Sequence, residues 1–598
     1  MRRFLPLIAA ILLLVLPTML VTHSCANTTE APSGGDKDTI PPYITDISPL
    51  PGAVGVPLEG MTFVFTFNEY VTIENPNNIF LSPPLGSTPK SRIKGKNLLV
   101  SFEEPLKPNT TYTLSFTDAI ADVNEGNIFA GYTYAFSTGQ KIDSMMITGT
   151  VRDCNTLEQV KGATVMLYKD FSDSAVFRSR PDAAIKTDDW GYFALPFIQD
   201  TLYRLYAVLD NNNDNIFDPE TELVAFADSA VRPFQTASDT TREMLRYDML
   251  DTLACQARFS EYELKLFREI PSRQLITGRG RNSERSAYIS FMAPYAMIDS
   301  LKIEGYRASQ IITQFNLLRD SLEIWLNSRS AAPDTMKLEV DYYKTDSLGD
   351  LSLQTENIRL ALTNEMRTYS KRSRRELTES DTTCVLKVTA TPETVEQNGI
   401  EFLFSYPIIS EQFDSVRFTA ITPRQTEIEQ KFTLERDSLN LRRYILRPDG
   451  QLLTGYEYRL KVPYKAFRDI NGYYSDSTEV SFSLPSDQNL STLVTELGGV
   501  GTRYIVDLLN EKRDNTLRTY VVDSDTTLTF PYLKEGRYSI RITEDRNGNS
   551  YVDTGSVLEH RQPEKVMFYE LEEQSYISVP AASEVVQTIN IAELFGTE

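Results

Sequence analysis

Short runs in which apolar and polar residues alternate constrain the fold of this 598-residue chain most strongly. In 61–67 (MTFVFTF) phenylalanine occupies every second position from Phe63, and similar alternation returns in 111–117 (TYTLSFT) and 132–136 (YTYAF). Successive side chains of a strand point to opposite faces of a sheet, so this period indicates half-buried strands. Clusters of Pro, Gly and Asn separate the runs. The sequence therefore predicts an all-β fold of tandem antiparallel β-sandwiches.

The first 25 residues predict export from the cytoplasm. Two arginines at positions 2 and 3 precede an apolar run over 4–21, which stops before Ser24 and Cys25. A charged start, a short apolar run and a small residue before the cut are typical of a cleaved signal peptide, here 1–24. Two prolines interrupt the run and a polar segment follows it, so a membrane-spanning helix is less favoured.

A cysteine at the cut resembles the lipid acceptor of bacterial lipoproteins, with Cys25 as the first residue of the mature chain. The alternative is ordinary cleavage after Ala26, which would discard the cysteine. Residues 25–38 are polar, contain Gly, Ser and Pro, and have no aromatic residue, which predicts a flexible tether. These features predict an outer-membrane lipoprotein that reaches the membrane through its lipid anchor, on either the periplasmic or the surface face.

Composition excludes several classes of function. A net charge of −22 would repel phosphate backbones, so we expect no nucleic-acid partner. His23 leaves with the signal peptide, and His560 is then the only histidine, which excludes HExxH metal sites and most Ser-His-Asp arrangements. No P-loop, GxSxG or GxGxxG motif is present. We therefore predict no catalytic residues and no enzyme, with paired carboxylates as the one mechanism left open.

Residues 39–140 carry a family resemblance. The segment opens at 39–43 (TIPPY), continues through the phenylalanine strand to 67–71 (FNEYV), and closes with 106–112 (LKPNTTY), 122–127 (DVNEGN) and 136–139 (FSTG). It resembles the bacterial Ig-like domain of the S-layer SbsA type. In many Bacteroidetes lipoproteins this domain follows a leader like the one here, Cys25 and then 34–42 (GGDKDTIPP). The resemblance implies a non-catalytic sandwich and brings no functional residues.

Internal repeats extend this architecture. Residues 456–482 repeat the pattern of 112–136, which predicts a second Ig-like domain at 385–485. Residues 195–218 align without a gap on 530–553, and 147–193 resembles the prealbumin-like sandwich of the carboxypeptidase regulatory or Cna-B-like type. We therefore predict a prealbumin-like domain at 142–230, an undefined β domain at 250–365, a linker at 366–384, and a second prealbumin-like domain with a C-terminal tail at 486–598.

The repeated segment ends in an Asp/Asn loop that predicts calcium as a cofactor. Oxygen donors stand at positions 1, 3, 5, 7 and 9 of a calcium loop. The donors are Asp210, Asn212, Asp214, the Ile216 carbonyl and Asp218 in the first copy, and Asp545, Asn547, Asn549, the Tyr551 carbonyl and Asp553 in the second. Position 6 lacks glycine and position 12 lacks glutamate in both copies. The alternative is that these residues form Asx-turns at a strand end.

Isolated residues carry weaker signals. Trp190, on a turn before a strand, is predicted to be a core residue rather than a binding ring. Cys154, Cys255 and Cys384 are widely spaced, which predicts small buried hydrophobes rather than disulfides.

Together, the sequence predicts a non-enzymatic cell-envelope lipoprotein with a scaffold or adhesion role toward an envelope protein or a glycan. The alternative is a glycan-binding or glycan-active part of an outer-membrane uptake system. Only 250–365 would then have room for a catalytic domain.

Overall fold

The computed structural model describes residues 38–129, 131–235, 262–328, 332–347, 349–363, 383–485, 490–571 and 574–596. Two compact units divide the chain, Met1–Asp143 with Thr236–Gln256, and Ser144–Gln235 with Ala257–Glu598, and each is described by itself. The predicted signal peptide 1–24, Cys25, Cys255 and most of the predicted linker (366–382) lie outside the described residues. Within the described residues, no helix has the length and apolar character needed to cross a membrane.

The predicted all-β fold class is confirmed. The described helices are α1 (Ala175–Arg178), α2 (Val395–Asn398) and α3 (Ile591–Phe595), with single 3₁₀ turns at Pro76–Asn78, Ala308–Gln310 and Phe413–Ser415. Strands make up nearly all of the remaining regular structure, and they form five sandwich modules in chain order.

The first module fills the first unit. Its strands are β1 (Ile44–Ser48), β2 (Thr62–Phe67), β3 (Val71–Ile73), β4 (Phe80–Ser82), β5 (Lys90–Lys94), β6 (Asn97–Ser101), β7 (Thr111–Ser115), β8 (Ile120–Asp122), β9 (Ile128–Phe129) and β10 (Thr133–Ser137). Sheets β1-β2-β6-β5 and β10-β7-β4 face each other, and β3-β8-β9 forms a small third sheet. The alternating phenylalanines of β2 point inward, where Phe65 packs edge-on against Phe116 and Tyr134 with centroids 4.9 and 5.3 Å apart.

The second module opens the second unit. Its strands are β11 (Met145–Asp153), β12 (Thr164–Tyr168), β13 (Ala183–Lys186), β14 (Tyr192–Ile198), β15 (Arg204–Val208), β16 (Leu223–Phe226), β17 (Phe234–Gln235) and β18 (Tyr262–Arg268). They join in one sheet of order β13-β12-β15-β16-β18-β11-β14, with β17 paired to β11. Strands β15 and β16 carry apolar residues on both faces, and most of their side chains are buried.

Strand β18 corrects two predicted domain boundaries. It runs parallel to β11 and antiparallel to β16, and it buries Leu264 and Leu266 in the core of the second module. The sequence predicted that this domain ends at 230 and that residues 262–268 belong to the undefined domain at 250–365. The error arose because residues 236–261 separate β18 from its sheet in the sequence, so no local pattern connects them.

The third module identifies the fold of the segment left undefined. Its strands are β19 (Ile276–Ser283), β20 (Ser286–Phe291), β21 (Ile298–Ile303), β22 (Ile311–Phe315), β23 (Ser321–Leu326), β24 (Thr335–Thr345) and β25 (Leu351–Ala361). Their sheets have the orders β19-β20-β23-β22 and β21-β24-β25. With the strands lettered A to G along the chain, these orders are ABED and CFG, the topology of a constant-type immunoglobulin domain.

The fourth module repeats this arrangement. Its strands are β26 (Leu386–Thr389), β27 (Ile400–Phe404), β28 (Ile408–Glu411), β29 (Arg417–Ile421), β30 (Glu427–Glu429), β31 (Phe432–Arg436), β32 (Arg443–Pro448), β33 (Glu457–Val462), β34 (Phe467–Asp469) and β35 (Thr478–Ser483). Sheets β26-β27-β32-β31 and β30-β29-β33-β35 match those of the first module. The two modules also share a buried tyrosine whose hydroxyl oxygen accepts a hydrogen bond from the backbone N–H of the residue five positions earlier. Tyr112 accepts from Lys107 at 2.7 Å, and Tyr458 accepts from Leu453 at 2.6 Å.

The fifth module repeats the strand order of the second, except that β42 pairs with β40 whereas β17 pairs with β11. Its strands are β36 (Ser491–Gly498), β37 (Tyr504–Asn510), β38 (Thr516–Val522), β39 (Thr526–Leu533), β40 (Gly536–Glu544), β41 (Val566–Phe568), β42 (Ile577–Val579) and β43 (Glu584–Asn590). The pairings β39-β36-β43 and β38-β37-β40-β41 reproduce β14-β11-β18 and β13-β12-β15-β16. In both copies the closing strand runs parallel to the first strand, so the repeat extends beyond the aligned residues.

Candidate functional site

The first Asp/Asn loop follows β15 and is organised around one carboxylate. Asp210 accepts the backbone N–H groups of Asn213 (2.6 Å) and Asn215 (3.0 Å). Both asparagines have φ near +60°, a left-handed conformation that asparagine tolerates better than most residues. The turn therefore depends on the Asp/Asn composition of the segment.

The remaining predicted donors of this loop form successive Asx-turns. Asn212 Oδ1 accepts the Asp214 N–H at 2.8 Å, and Asp214 Oδ1 accepts the Ile216 N–H at 2.8 Å. Asp218 Oδ1 accepts the Glu220 N–H at 3.0 Å. Each side chain bonds the backbone two residues on, which is the arrangement that the alternative interpretation of this loop predicts.

A buried glutamate closes the base of the loop. Glu222 Oε1 accepts the Asn211 N–H at 3.0 Å, and Glu222 Oε2 accepts the Asp218 N–H at 2.9 Å. Burial raises the pKa of Glu222, and the neighbouring Asp210 and Asp214 raise it further. Burial also raises the pKa of Asp210, although the backbone donors partly oppose this effect. Glu222 lies one residue beyond Thr221, which occupies position 12 of the predicted calcium loop.

The second loop has the same geometry around Asp545. Its carboxylate accepts the N–H groups of Gly548 (2.7 Å), Asn549 (3.1 Å) and Ser550 (2.9 Å). Glu564 takes the place of Glu222, since its oxygens accept the Arg546 and Asp553 N–H groups, both at 2.9 Å.

Sequence reasoning missed Glu564 because ten residues separate it from Asp553, whereas three separate Asp218 from Glu222. The gapless alignment stops before this insertion of seven residues.

Protein donors already engage the acidic groups of the second loop. Arg503 Nε lies 3.5 Å from Asp545 Oδ2. The side-chain amides of Asn547 and Asn549 donate to Asp553 Oδ2 at 2.5 and 2.8 Å. In the first loop, Lys186 donates to the Asn213 side-chain oxygen at 2.9 Å, and the Asn212 amide donates to Asp214 Oδ2 at 3.2 Å. The predicted donors include three aspartates in the first loop and two in the second, so the first loop is the better match to a cation.

Calcium remains a prediction at both loops. Across the described residues, no group of three or more His, Cys, Asp or Glu side chains is arranged to hold a metal ion.

If calcium nevertheless binds the first loop, it binds only the folded chain and raises its melting temperature. Asp214→Ala should remove the difference between melting in calcium and in chelator, whereas Asp545→Ala should leave it. Equal melting curves of the unsubstituted chain in calcium and in chelator would contradict the prediction.

The longer segment that follows Asp553 in the second loop, which includes the seven extra residues, forms an interface between the second and fifth modules. We call residues 554–562 the interface insertion. Glu269, which follows β18 and is 6% exposed, accepts the Ser556 hydroxyl and the Val557 N–H, both at 2.7 Å. A buried carboxylate with two donors is a strong and directional contact, because its charge requires partners. This carboxylate therefore joins the two modules.

Further contacts widen this interface. Gln562 Nε2 donates to the Phe226 carbonyl (2.9 Å) and to Asp228 (2.7 Å). His560 Nε2 lies 2.7 Å from Asp173 Oδ1. Leu157 of the second module packs against an apolar group of the fifth, formed by Leu509, Val566 and Phe568. The interface thus combines an apolar contact with a polar rim, as in stable protein–protein contacts.

The atoms around residue 555 leave no space for a side chain larger than that of glycine. A Cβ there would lie 2.7 Å from the Phe267 ring and 2.8 Å from the Arg561 carbonyl oxygen. An added side chain would therefore require the Phe267 ring of the second module or the Arg561 backbone of the interface insertion to move. A substitution of Gly555 therefore perturbs the contact of the interface insertion with the second module.

Two predictions about isolated residues have different outcomes. Cys154 and Cys384 are buried free thiols, and burial raises the pKa of each to about 12, as expected for small hydrophobes. Cys384 is also part of the fourth module rather than the predicted linker, since it bridges to Ser475.

The prediction for Trp190 is wrong, because its side chain is 68% exposed. The Asp188 carboxylate accepts the N–H groups of Trp190 and Tyr192, both at 2.9 Å, and closes a turn that leaves the indole outside the core.

Comparison with known proteins bears on the first module. Residues 38–138 match the family of bacterial Ig-like domains. No curated protein matches the chain. The resemblance to Ig-like sandwiches is thus supported for that segment, which is about a sixth of the chain.

Several solved structures are similar to this chain at low sequence identity. The N-terminal part of the bacterial S-layer protein SbsC is 12% identical with a TM-score of 0.13, and the match covers 31% of this chain and 43% of that structure. The BSP domain of a biofilm associated protein is 9% identical with a TM-score of 0.15 over 85% and 94% of the two chains. BcpA, the major pilin subunit of Bacillus cereus, is 10% identical with a TM-score of 0.12 over 75% and 99%. Likeness at this level carries no argument about function.

Proposed function

We propose that this chain is a non-enzymatic lipoprotein of the outer membrane, whose β-sandwich modules have a structural or interaction role in the cell envelope. The observation that supports this role is the interface between the second and fifth modules. A scaffold or adhesin must hold its binding surfaces in a fixed arrangement, and buried contacts between modules distant in sequence provide one. The buried Glu269 carboxylate and the interface insertion are the clearest of these contacts.

Contacts between consecutive modules support the same role. Arg442 of the fourth module pairs with Glu323 of the third at 3.1 Å and lies over the Trp325 ring, 5.7 Å from its centroid. Between the fourth and fifth modules, Arg518 donates to the Glu393 carbonyl at 2.8 Å. Arginine can combine ion pairing, hydrogen bonding and stacking, which suits it to such junctions.

The lipid anchor is tested at Cys25. In cells supplied with a labelled fatty acid, the unsubstituted chain should incorporate label and sediment with membranes, because an acyl chain partitions into the bilayer. Cys25→Ala should incorporate no label and appear in the soluble envelope fraction, while Cys154→Ala serves as a matched control. A mature chain that begins at Asn27 would contradict the proposal, because cleavage there discards the cysteine.

A second candidate role, glycan binding, is favoured by the exposed Trp190. An indole on a turn can stack on the apolar face of a sugar ring. The chain has only two tryptophans, and Trp325 is buried, so a fluorescence change would report on Trp190. Titration with envelope polysaccharide should shift the emission of the unsubstituted chain and leave Trp190→Phe unchanged. No change in the unsubstituted chain would reject this role and leave the scaffold proposal standing.

A further inference from the structure

The third module exposes leucines where a turn is normally polar. Arg319 N–H bonds the Asn316 carbonyl at 3.1 Å, which makes residues 316–319 a β-turn with Leu317 and Leu318 at its centre. The Asn316 side chain accepts the Asp320 and Ser321 N–H groups at 3.0 and 3.1 Å, so the turn is held firmly. Central turn positions usually carry Gly, Pro, Asn, Asp or Ser. Two exposed leucines in their place need another explanation.

A neighbouring loop extends this apolar surface. Tyr295 N–H bonds the Leu318 carbonyl at 2.7 Å, and the next N–H along the chain bonds the Arg319 carbonyl at 3.1 Å. The loop that presents Tyr295 and Met297 is thus attached directly to the leucine turn. In an immunoglobulin topology these are the BC and DE loops, which lie at the same end of the sandwich.

The end of the β24–β25 hairpin completes the surface. Tyr343 N–H bonds the Met297 carbonyl at 3.0 Å, and Leu353 lies directly opposite Tyr343 in the pairing of β24 with β25. Leu351 follows on the same face, two residues away. We define the apolar end of the module as a set of six residues that are each 40–66% exposed: Tyr295, Met297, Leu317, Leu318, Leu351 and Leu353.

The apolar end is not part of the module's buried core. The module has its own core of buried residues, including Ile324, Leu338 and Tyr342. Its contacts with the fourth module lie elsewhere, on the face of β22 and β23 through Glu323, and at the β19–β20 turn, where Ser283 accepts the Tyr406 hydroxyl at 2.9 Å. That turn is at the end of β20 opposite the BC loop. Several exposed apolar residues that lie together, outside both contacts with the fourth module, are typical of a binding site.

The charges around the apolar end indicate the kind of partner. Four aspartates border it: Asp299 beside Met297, Asp320 after the leucine turn, and Asp346 and Asp350 in the β24–β25 turn. The nearby cations in the described part of this end are Arg273 and Arg319. Arg319 is engaged, since it lies 4.4 Å from the Phe315 ring centroid and donates to the Ala296 carbonyl. Lys344 lies on the other face of β24, near Glu356.

We propose that the apolar end of the third module binds a basic, apolar segment of a partner protein. Apolar side chains of the partner would cover the leucines and Tyr295, and its cations would meet the aspartate rim, which is the usual anatomy of an interface. A second copy of this chain would bring two acidic rims together, and an anionic membrane would be repelled. The inference deepens the interaction role proposed above and rests on it.

The test uses the complete mature chain and two designed peptides. One 15-residue peptide alternates leucine or tyrosine with lysine, and the other has glutamate in place of every lysine. Fluorescence anisotropy at physiological salt should show binding of the lysine peptide. The affinity should fall at least tenfold in Leu317→Ser/Leu318→Ser, whose changes lie on an exposed turn, and stay unchanged in Leu202→Ser, an exposed leucine of the second module.

Several results would overturn the inference. One is that the unsubstituted chain binds the glutamate peptide as tightly as the lysine peptide, and another is that the double variant binds the lysine peptide as tightly as the unsubstituted chain does. Dimerisation of the unsubstituted chain would also overturn it if the double variant abolished the dimer. The same holds for binding to anionic vesicles that the double variant abolishes. None of these results depends on Cys25, so a failure here is distinguishable from a failure of the lipid anchor.

Discussion

A fragment of residues 144–235 should fail to fold, whereas a fragment of residues 144–268 should melt in one cooperative transition. The two differ by strand β18, which fills the position between β11 and β16. Without it, both strands become unpaired edges and the burial of Leu264 and Leu266 is lost. Each leucine contributes about 1.5–3 kcal/mol, and the lost strand pairing adds to this. The total is comparable with the stability of a whole domain, about 5–15 kcal/mol.

Circular dichroism and calorimetry of the two fragments measure this difference. The fifth module offers a matched variant, because truncation after residue 583 removes β43, the equivalent strand, and should have the same effect. The first module, residues 38–143, forms its own unit and should fold alone as a positive control. If 144–235 melted cooperatively at the temperature of the longer fragment, the assignment of β18 to this module would be wrong.

Gly555→Val should separate the second and fifth modules. The added side chain cannot fit between the Phe267 ring and the Arg561 carbonyl, so the interface insertion must move and the Glu269 contacts break. Loss of hydrogen bonds to a buried carboxylate costs about 1.5–3 kcal/mol each. We therefore expect calorimetry of residues 144–598 to show earlier unfolding of one module, and Glu269→Ala to reproduce part of the effect.

Gly501→Val is the matched control for this substitution. Gly501 has no neighbouring atom within 4 Å of an added Cβ and lies in the same module. The free energy of unfolding of this variant, obtained from its melting curve, should stay within about 0.5 kcal/mol of that of the unsubstituted chain. If Gly555→Val behaved like Gly501→Val, the interface insertion would contribute nothing to the arrangement of the modules.

Local features of the sequence predicted the fold class and much of the repeat. The alternation in β2 predicted its buried phenylalanines, because period and burial are directly linked in a strand. The gapless alignment of 195–218 on 530–553 predicted two equivalent loops. Even the left-handed positions correspond, with φ of +59° at Phe197 and +61° at Tyr532.

Features that depend on distant contacts could not be predicted in this way. Strand β18 is separated from its partners by residues 236–261, and Glu564 by the interface insertion, so neither has a local signature. The third module has no repeat within the chain, and only its strand pairing reveals the immunoglobulin order. Trp190 was misassigned because a ring beside a strand is usually buried, whereas here the Asp188 turn directs it outward.

The central claim is that the interface insertion fixes the second and fifth modules relative to each other. Pulsed electron paramagnetic resonance tests this directly, with spin labels at Leu202→Cys and Lys512→Cys, both exposed positions, one in each module. Cys25 and Cys255 are replaced by serine, and the two buried cysteines are retained. We expect one narrow distance distribution for this chain and a broad one after Gly555→Val. A broad distribution in the chain that retains Gly555 would contradict it.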